Sequence, residues 1–356
     1  MSQFAANATP PIMATAQAVP VQAPDTAGLG VNVNAAAHFL QQSNWPEGLA
    51  NLMIDGIHKT CYRIFIVDDS GSMGHGDGNK LQTTSRGLHV HKIRCTRWAE
   101  MVEAIKFHAA FAEAANAPSE FRLLNNGNPI VVGGGLDTRQ NAMILNSLLD
   151  GSPGGMTPLC RHVAEVVVRI KSMEHQLKAN GQKVSLTIFT DGKSSDGDVS
   201  KALEPLSYLP VRVIIRLCTD DDSVVNYWNH VDDNIELQMD CLDDLFGEND
   251  EVRSKNRWLT YGVPLHRLRE FGCHLKEFDL LDETKLSESQ IRTVIAHVLG
   301  GPLESYPHPS MDKKRFLKYV KEKLVQSPMT ICPEKKVMRP WIRTQHLPGA
   351  GACTIS

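Results

Sequence analysis

The 356-residue sequence predicts an α/β fold: a doubly wound, mostly parallel sheet with helices on both faces. Three observations predict it. The runs Cys61–Val67, Val184–Thr190 and Val211–Leu217 are almost continuously apolar and rich in β-branched residues, as in strands buried on both faces. Segments with apolar residues at helical spacing lie between them. Strands alternating with helices stack as a sheet covered on each side.

Residues 1–43 are rich in Ala, Pro, Thr and Gln, which predicts a disordered tail that cannot bury a core. Residues 44–302 read as the globular domain. A helix begins at Pro46, a favoured first-turn position, and runs toward His58. The strand Cys61–Val67 follows, then a polar, Gly-rich loop from Gly71 to about Arg94. Thr96 to Asn116 has helical spacing, with Trp98, Met101, Val102, Ile105 and Phe111 on one side. Short strands are expected at 119–124 and 129–133, and helices at 138–149 and 158–179. The strand Val184–Thr190, a helix near 198–206 and the strand Val211–Leu217 come next. Residues 220–272 read as an acidic insertion, His274–Leu281 as the last strand and Ser287–Leu299 as the last helix of the domain. Residues 303–356 form a basic extension, with an amphipathic helix over Lys313–Leu324 and a flexible tail.

With 37 basic and 40 acidic residues, the net charge of −3 points to no class of partner, and no nucleic acid is expected. Eight cysteines are scattered without a Cys-x-x-Cys pair, as in a reducing compartment rather than a disulfide framework. No basic residue precedes Lys59, so neither a secretory signal nor an Arg-rich transit peptide is expected. The expectation is a cytosolic protein.

The chemistry is concentrated after two strands. Asp68-Asp69-Ser70-Gly71-Ser72 directly follows the first buried strand, where alternate positions let Asp68, Ser70 and Ser72 converge. Gly71 is expected to permit a tight turn. Asp191-Gly192 ends a second buried strand, and Thr157 lies in the loop Gly154-Gly-Met-Thr-Pro158 before a helix. Three hydroxyls and two carboxylates suit a hard cation such as Mg²⁺, with Mn²⁺ and Ca²⁺ as alternatives. An open coordination position accepts an oxygen from a partner.

This arrangement resembles the metal-ion-dependent adhesion site of von Willebrand factor type A domains. The matching residues are Asp68, Ser70, Ser72, Thr157 and Asp191, with Thr96-Arg-Trp-Ala-Glu100 opening the first helix of the motif. The resemblance covers roughly residues 55 to 300. It implies a Rossmann-like fold and a Mg²⁺-dependent module that captures an Asp or Glu of a protein partner. The family's cytosolic members act in trafficking, ubiquitin-linked and signalling assemblies.

Two rival functions remain at this stage: a metal-dependent hydrolase of phosphate substrates, and a peripheral sensor of anionic lipid. No phosphate loop, His-Glu-x-x-His, Gly-x-Ser-x-Gly or dinucleotide fingerprint is present, so the expectation is not an enzyme. His75, Asp77, His89 and His91 read either as a second metal site or as a polar surface loop.

Charge is segregated. Asp220 to Glu251 holds twelve acidic residues and no Lys or Arg. It reads either as solvated helical faces with acidic N-caps or as a docking surface for a basic partner, the chain's own tail included. Asp312 to Arg343 holds ten basic residues against three acidic. Cys353-Thr-Ile-Ser356 matches a Cys-a-a-X box, which implies prenylation of Cys353 in a eukaryotic cell. One lipid chain anchors weakly, so the basic stretch is the expected second signal for a membrane's cytosolic face. Cys332 is a candidate palmitoylation site or a plain thiol.

Overall fold

A computed structural model describes residues 30–83, 90–219 and 221–348. In chain order its elements are α1 (Val33–Gln42), α2 (Glu47–Lys59), β1 (Thr60–Val67), β2 (Gly78–Thr83), β3 (Val90–Cys95), α3 (Arg97–Ala115), β4 (Ser119–Leu123), β5 (Ile130–Val132), α4 (Thr138–Leu149), α5 (Leu159–Ala179), β6 (Lys183–Thr190), α6 (Val199–Leu203), β7 (Val211–Leu217), α7 (Asp222–Asn234), β8 (Met239–Leu242), α8 (Leu245–Lys255), α9 (Val263–Glu270), α10 (Lys276–Glu283), α11 (Glu288–Leu299), α12 (Lys313–Gln326), β9 (Thr330–Cys332) and β10 (Val337–Arg339). Six strands form one sheet in the order β5-β4-β1-β6-β7-β8. All pairings in it are parallel except β4 with β5.

The apolar runs form the strands the sequence predicts, for the predicted reason: both faces of β1 are covered. Phe65 and Val67 face a core shared with α2, α3, α9 and α11, where Phe65 stacks on Phe121 at 5.0 Å. Tyr62, Ile64 and Ile66 face the other core, closed by α5, α6 and α7. Gly48 lets α2 lie against the end of α11; a Cβ there would sit 2.3 Å from the His297 carbonyl oxygen.

Several expectations are corrected. Within the tail predicted over 1–43, Val33–Gln42 form α1, which Asn32 caps through Ala35 N at 3.0 Å. Ala36 and Leu40 are buried against α3, so a helix of low intrinsic distinction is held by tertiary packing. The expectation for residues 1–29 lies outside the described residues. The loop predicted from Gly71 to Arg94 contains the antiparallel pair β2–β3.

The acidic segment is built into the domain. It supplies α7 and the edge strand β8, whose Asp240 pairs with Arg212 of β7. Its acids are used locally: Asp221 caps α7 through Ser223 N at 2.8 Å, and Asp244 caps α8 through Phe246 N and Gly247 N, each at 2.7 Å. The predicted last strand, His274–Leu281, is instead α10, because Phe278 and Leu281 are buried three residues apart on one helical face.

The basic extension packs on the domain. Phe316 and Val320 of α12 are buried, and Lys314, Arg315, Lys318 and Lys321 remain exposed. The tail is not flexible up to Pro348: Trp341 and Ile342 are buried, Thr260 N donates to the Trp341 carbonyl at 2.9 Å and Arg343 N to the Trp258 carbonyl at 2.7 Å. Just beyond the Asp220–Glu251 run, Arg253 of α8 pairs with Glu334 of the extension at 2.9 Å. Cys332 is 3% exposed in β9, which removes it as an acceptor for a lipid in this fold. Cys353 lies outside the described residues. No described helix is long and apolar enough to cross a membrane.

Candidate metal centre

In an open α/β sheet the chain leaves a crevice where successive connections run to opposite sides. Here that point lies between β1 and β6: the chain leaves β1 toward β4 and returns to pair β6 on the other side of β1. Asp68 follows β1 and Asp191 follows β6, and Asp68 N donates to the Phe189 carbonyl at 2.9 Å, so the two carboxylates end adjacent strands.

Four of the five predicted ligands form one chain of contacts. Ser70 N donates to Asp68 Oδ1 at 3.0 Å, the Ser70 and Ser72 hydroxyls are 3.1 Å apart, and Ser72 Oγ donates to Asp191 Oδ1 at 2.8 Å. Asp68, Ser70 and Asp191 are buried, and Ser72 is half-buried. Thr190 Oγ1 donates to Asp68 Oδ2 at 2.7 Å. Burial pushes the Asp68 carboxyl up to about 6, while hydrogen bonds from Ser70 and Thr190 hold it back and the nearby Asp191 adds to the rise.

Thr157 is brought to the same end through its backbone. Asp69 is the organiser: its Oδ1 accepts from Asn125 N at 2.8 Å and Asn125 Nδ2 at 3.0 Å, and its carbonyl accepts from Gly154 N at 2.7 Å. Asn125 Nδ2 also donates to the Met156 carbonyl at 2.8 Å. Thr157 N donates to Ser195 Oγ at 3.1 Å, and Ser195 N to the Thr157 carbonyl at 2.8 Å, which ties this loop to the one after β6. The glycine this arrangement requires is Gly155, with φ +97° and a would-be Cβ 2.6 Å from Asn125 Oδ1. Gly71, expected to need that freedom, has no positive φ, and a Cβ there would meet only the Gly155 carbonyl at 3.7 Å.

In the sequence Arg97 figures only within the Thr96–Glu100 stretch of the resemblance, with no site role. It is the first residue of α3, behind the N-cap Thr96, and its Nη1 donates to Asp191 Oδ2 at 2.9 Å. The other edge of its guanidinium holds Asp77: Nε to Oδ1 at 2.8 Å and Nη2 to Oδ2 at 2.6 Å. The hydrogen bonds that Arg97 donates to Asp77, and then to Asp191, raise its pKa despite partial burial. The Asp77 carboxyl is lowered in turn, first by its hydrogen bonds to Arg97. Only the adjacent sequence Thr96-Arg97 could have signalled this, and helix starts carry arginines for many reasons.

The donor set fits a hard divalent cation: the residues offer carboxylate and hydroxyl oxygens and no sulfur or imidazole. Asp191 divides its oxygens between Ser72 and Arg97, so Arg97 fixes the carboxylate's orientation. The suggested second site around the Gly71–Arg94 segment does not assemble among the described residues. Asp77 is taken by Arg97, His75 and His91 are exposed, and His89 lies outside the described residues. Metal-ligand clusters among the described residues occur elsewhere, at Asp240, His274 and Asp279 and at Glu248, Glu251 and Asp282, where Arg212 and Arg269 already serve as counter-charges.

No protein-family model and no curated protein matches the chain. Among solved structures it is similar to the SpRpn10 VWA domain, at 11% identity and a TM-score of 0.32, over 51% of this chain and 86% of that one. It is also similar to the conserved hypothetical protein BatB from Bacteroides thetaiotaomicron, at 16% identity and a TM-score of 0.27, over 44% of this chain and 65% of that one.

Proposed function

We propose that this chain is a Mg²⁺-dependent protein-binding module of the von Willebrand factor type A kind, which captures an acidic residue of a protein partner. The observation that carries the reading is the continuous contact chain Asp68–Ser70–Ser72–Asp191 at the carboxyl ends of two adjacent strands. Ser70, Ser72 and Thr157 are its direct ligands, and Asp68 and Asp191 hold the metal's waters. Bound Mg²⁺ supplies an electrophilic position for a carboxylate oxygen. The protein's part is to pre-orient the oxygens, through Thr190 on Asp68 and Arg97 on Asp191.

The module acts at a membrane's cytosolic face. The exposed lysines and Arg315 of α12 add attraction of about 1 kcal/mol each near an anionic surface. Where Ser356 is the end of the mature chain, Cys353 takes a prenyl group.

The test is capture of partners from eukaryotic cytosol and membranes by the wild type and by Asp191→Ala, each in Mg²⁺ and in EDTA. The reading expects a protein retained by the wild type in Mg²⁺ alone. Retention that ignores both the metal and the substitution counts against it. Fractionation of Cys353→Ser checks the anchor separately.

A further inference from the structure

Arg97 has one edge turned inward and one turned outward. Inward, Nη1 meets Asp191, whose side chain is 0% exposed. Outward, Nε and Nη2 form a bidentate pair with Asp77, whose side chain is 46% exposed. That outward edge presents the parallel fork of donors that recognises a free carboxylate. A solvent-facing carboxylate of the same chain covers it, beside the oxygens proposed to hold the metal.

We propose that Asp77 is an internal stand-in for the partner's acidic side chain, and that the partner displaces it from Arg97. The inference rests on the metal-site reading and adds to it a second contact point. The partner's carboxylate group is read by the Arg97 fork as well as by the metal, so an acidic pair or run on an exposed peptide is the preferred ligand.

The surroundings favour exchange of the side chain alone. Arg97 N donates to the His75 carbonyl at 3.0 Å, and Asn79 N to Glu100 Oε2 at 2.8 Å, so backbone on both sides of Asp77 is fastened to the start of α3. Gly78 lies against that helix start; a Cβ there would be 2.7 Å from the Thr96 carbonyl oxygen. The loop therefore stays in place while the Asp77 carboxylate rotates into solvent. Arg97 keeps its position because Asp191 holds the other edge. The Asp77 side of this pair is open to solvent, so its carboxylate can leave without desolvation, and a ligand that also reaches the metal outcompetes it.

The probe is a fluorescein-labelled hexaglutamate peptide, titrated by anisotropy against the full chain with Mg²⁺ or EDTA. Mn²⁺ binding followed by electron paramagnetic resonance reports the metal site independently. Removing the competitor in Asp77→Asn tightens the peptide about fivefold, and replacing the fork in Arg97→Lys weakens it about tenfold. Because Asp77 and Asp191 share Arg97, the peptide is titrated against each form at a Mn²⁺ concentration that saturates that form's own site.

If Asp77→Asn binds Mn²⁺ but holds the peptide no more tightly than wild type, the stand-in is overturned and the metal site survives. If the wild type binds no Mn²⁺, the metal reading fails, and the same two substitutions titrated in EDTA decide the Arg97 inference alone. Absence of peptide binding by every form overturns the inference as well. A measurement on the wild type covers a variant that does not fold: the ¹⁵N resonance of Arg97 Nε shifts on peptide addition if Asp77 is exchanged, and stays put if it is not.

Discussion

Thr190 Oγ1 donates to Asp68 Oδ2 at 2.7 Å and accepts from Gly192 N at 3.3 Å. One hydroxyl thus joins the buried carboxylate after β1 to the turn after β6. Thr190→Val keeps the shape and removes the donor, leaving a buried carboxylate oxygen short of a partner. Unfolding in urea is expected to show a loss of about 1–3 kcal/mol, and Mn²⁺ titration a weaker metal site.

Glu270 is the hub of a buried charge network. Its carboxylate meets His108 Nε2 at 3.0 Å, Arg267 Nη1 at 2.7 Å and Arg216 Nε at 3.3 Å, and Arg216 continues to Glu100 Oε1 at 2.9 Å. Although burial opposes ionisation, Arg267 and its neighbours hold this carboxyl well below the usual range. Glu270→Gln removes the charge that faces Arg267 and leaves Arg216 with Glu100 alone. The expected cost is about 3–5 kcal/mol by chemical denaturation, far above that of a surface change such as Glu113→Gln, at an exposed residue of α3.

Trp341 is 0% exposed and seats the chain's extension on the Trp258–Thr260 segment. Trp341→Ala is expected to cost about 3–5 kcal/mol of stability through the cavity left behind. Limited proteolysis should then cut first within 303–348, and an unchanged digestion pattern would show that the extension does not depend on this anchor.

Asp279 carries a pH signature. Burial, and then the like charge of Asp240, push its carboxyl up to about 6. Because the folded value exceeds the unfolded one, its stabilising contribution is complete below about pH 4 and is lost as pH rises through the folded value. Asp279→Asn should therefore raise the melting temperature at pH 8 and not at pH 4. The side chain is 26% exposed, so the gain is on the order of 1 kcal/mol after allowing for solvent screening. Equal shifts at both pH values would indicate a packing effect instead.

By itself the sequence determined the strands β1, β6 and β7 and the residues that follow them. A strand covered on both faces must be apolar throughout, so its signal is local and strong. The same holds for Asp68-x-Ser70-x-Ser72 and Asp191, whose places follow from where those strands stop. Capped amphipathic helices such as α11, with Ser287 and Gln290 as a capping box, were legible for similar reasons.

Tertiary structure decided the rest, because the deciding partners are distant in sequence. The helix α1 packs on both α2 and α3. The acids of 220–251 look like a surface feature until Arg212 and Arg269 are seen to take Asp240 and Glu248 inward. Arg97 is an ordinary first helical residue until the fold sets Asp191, 94 positions away, against its guanidinium. A hydrogen bond across that separation leaves no local pattern, since any exposed arginine satisfies the same local rules.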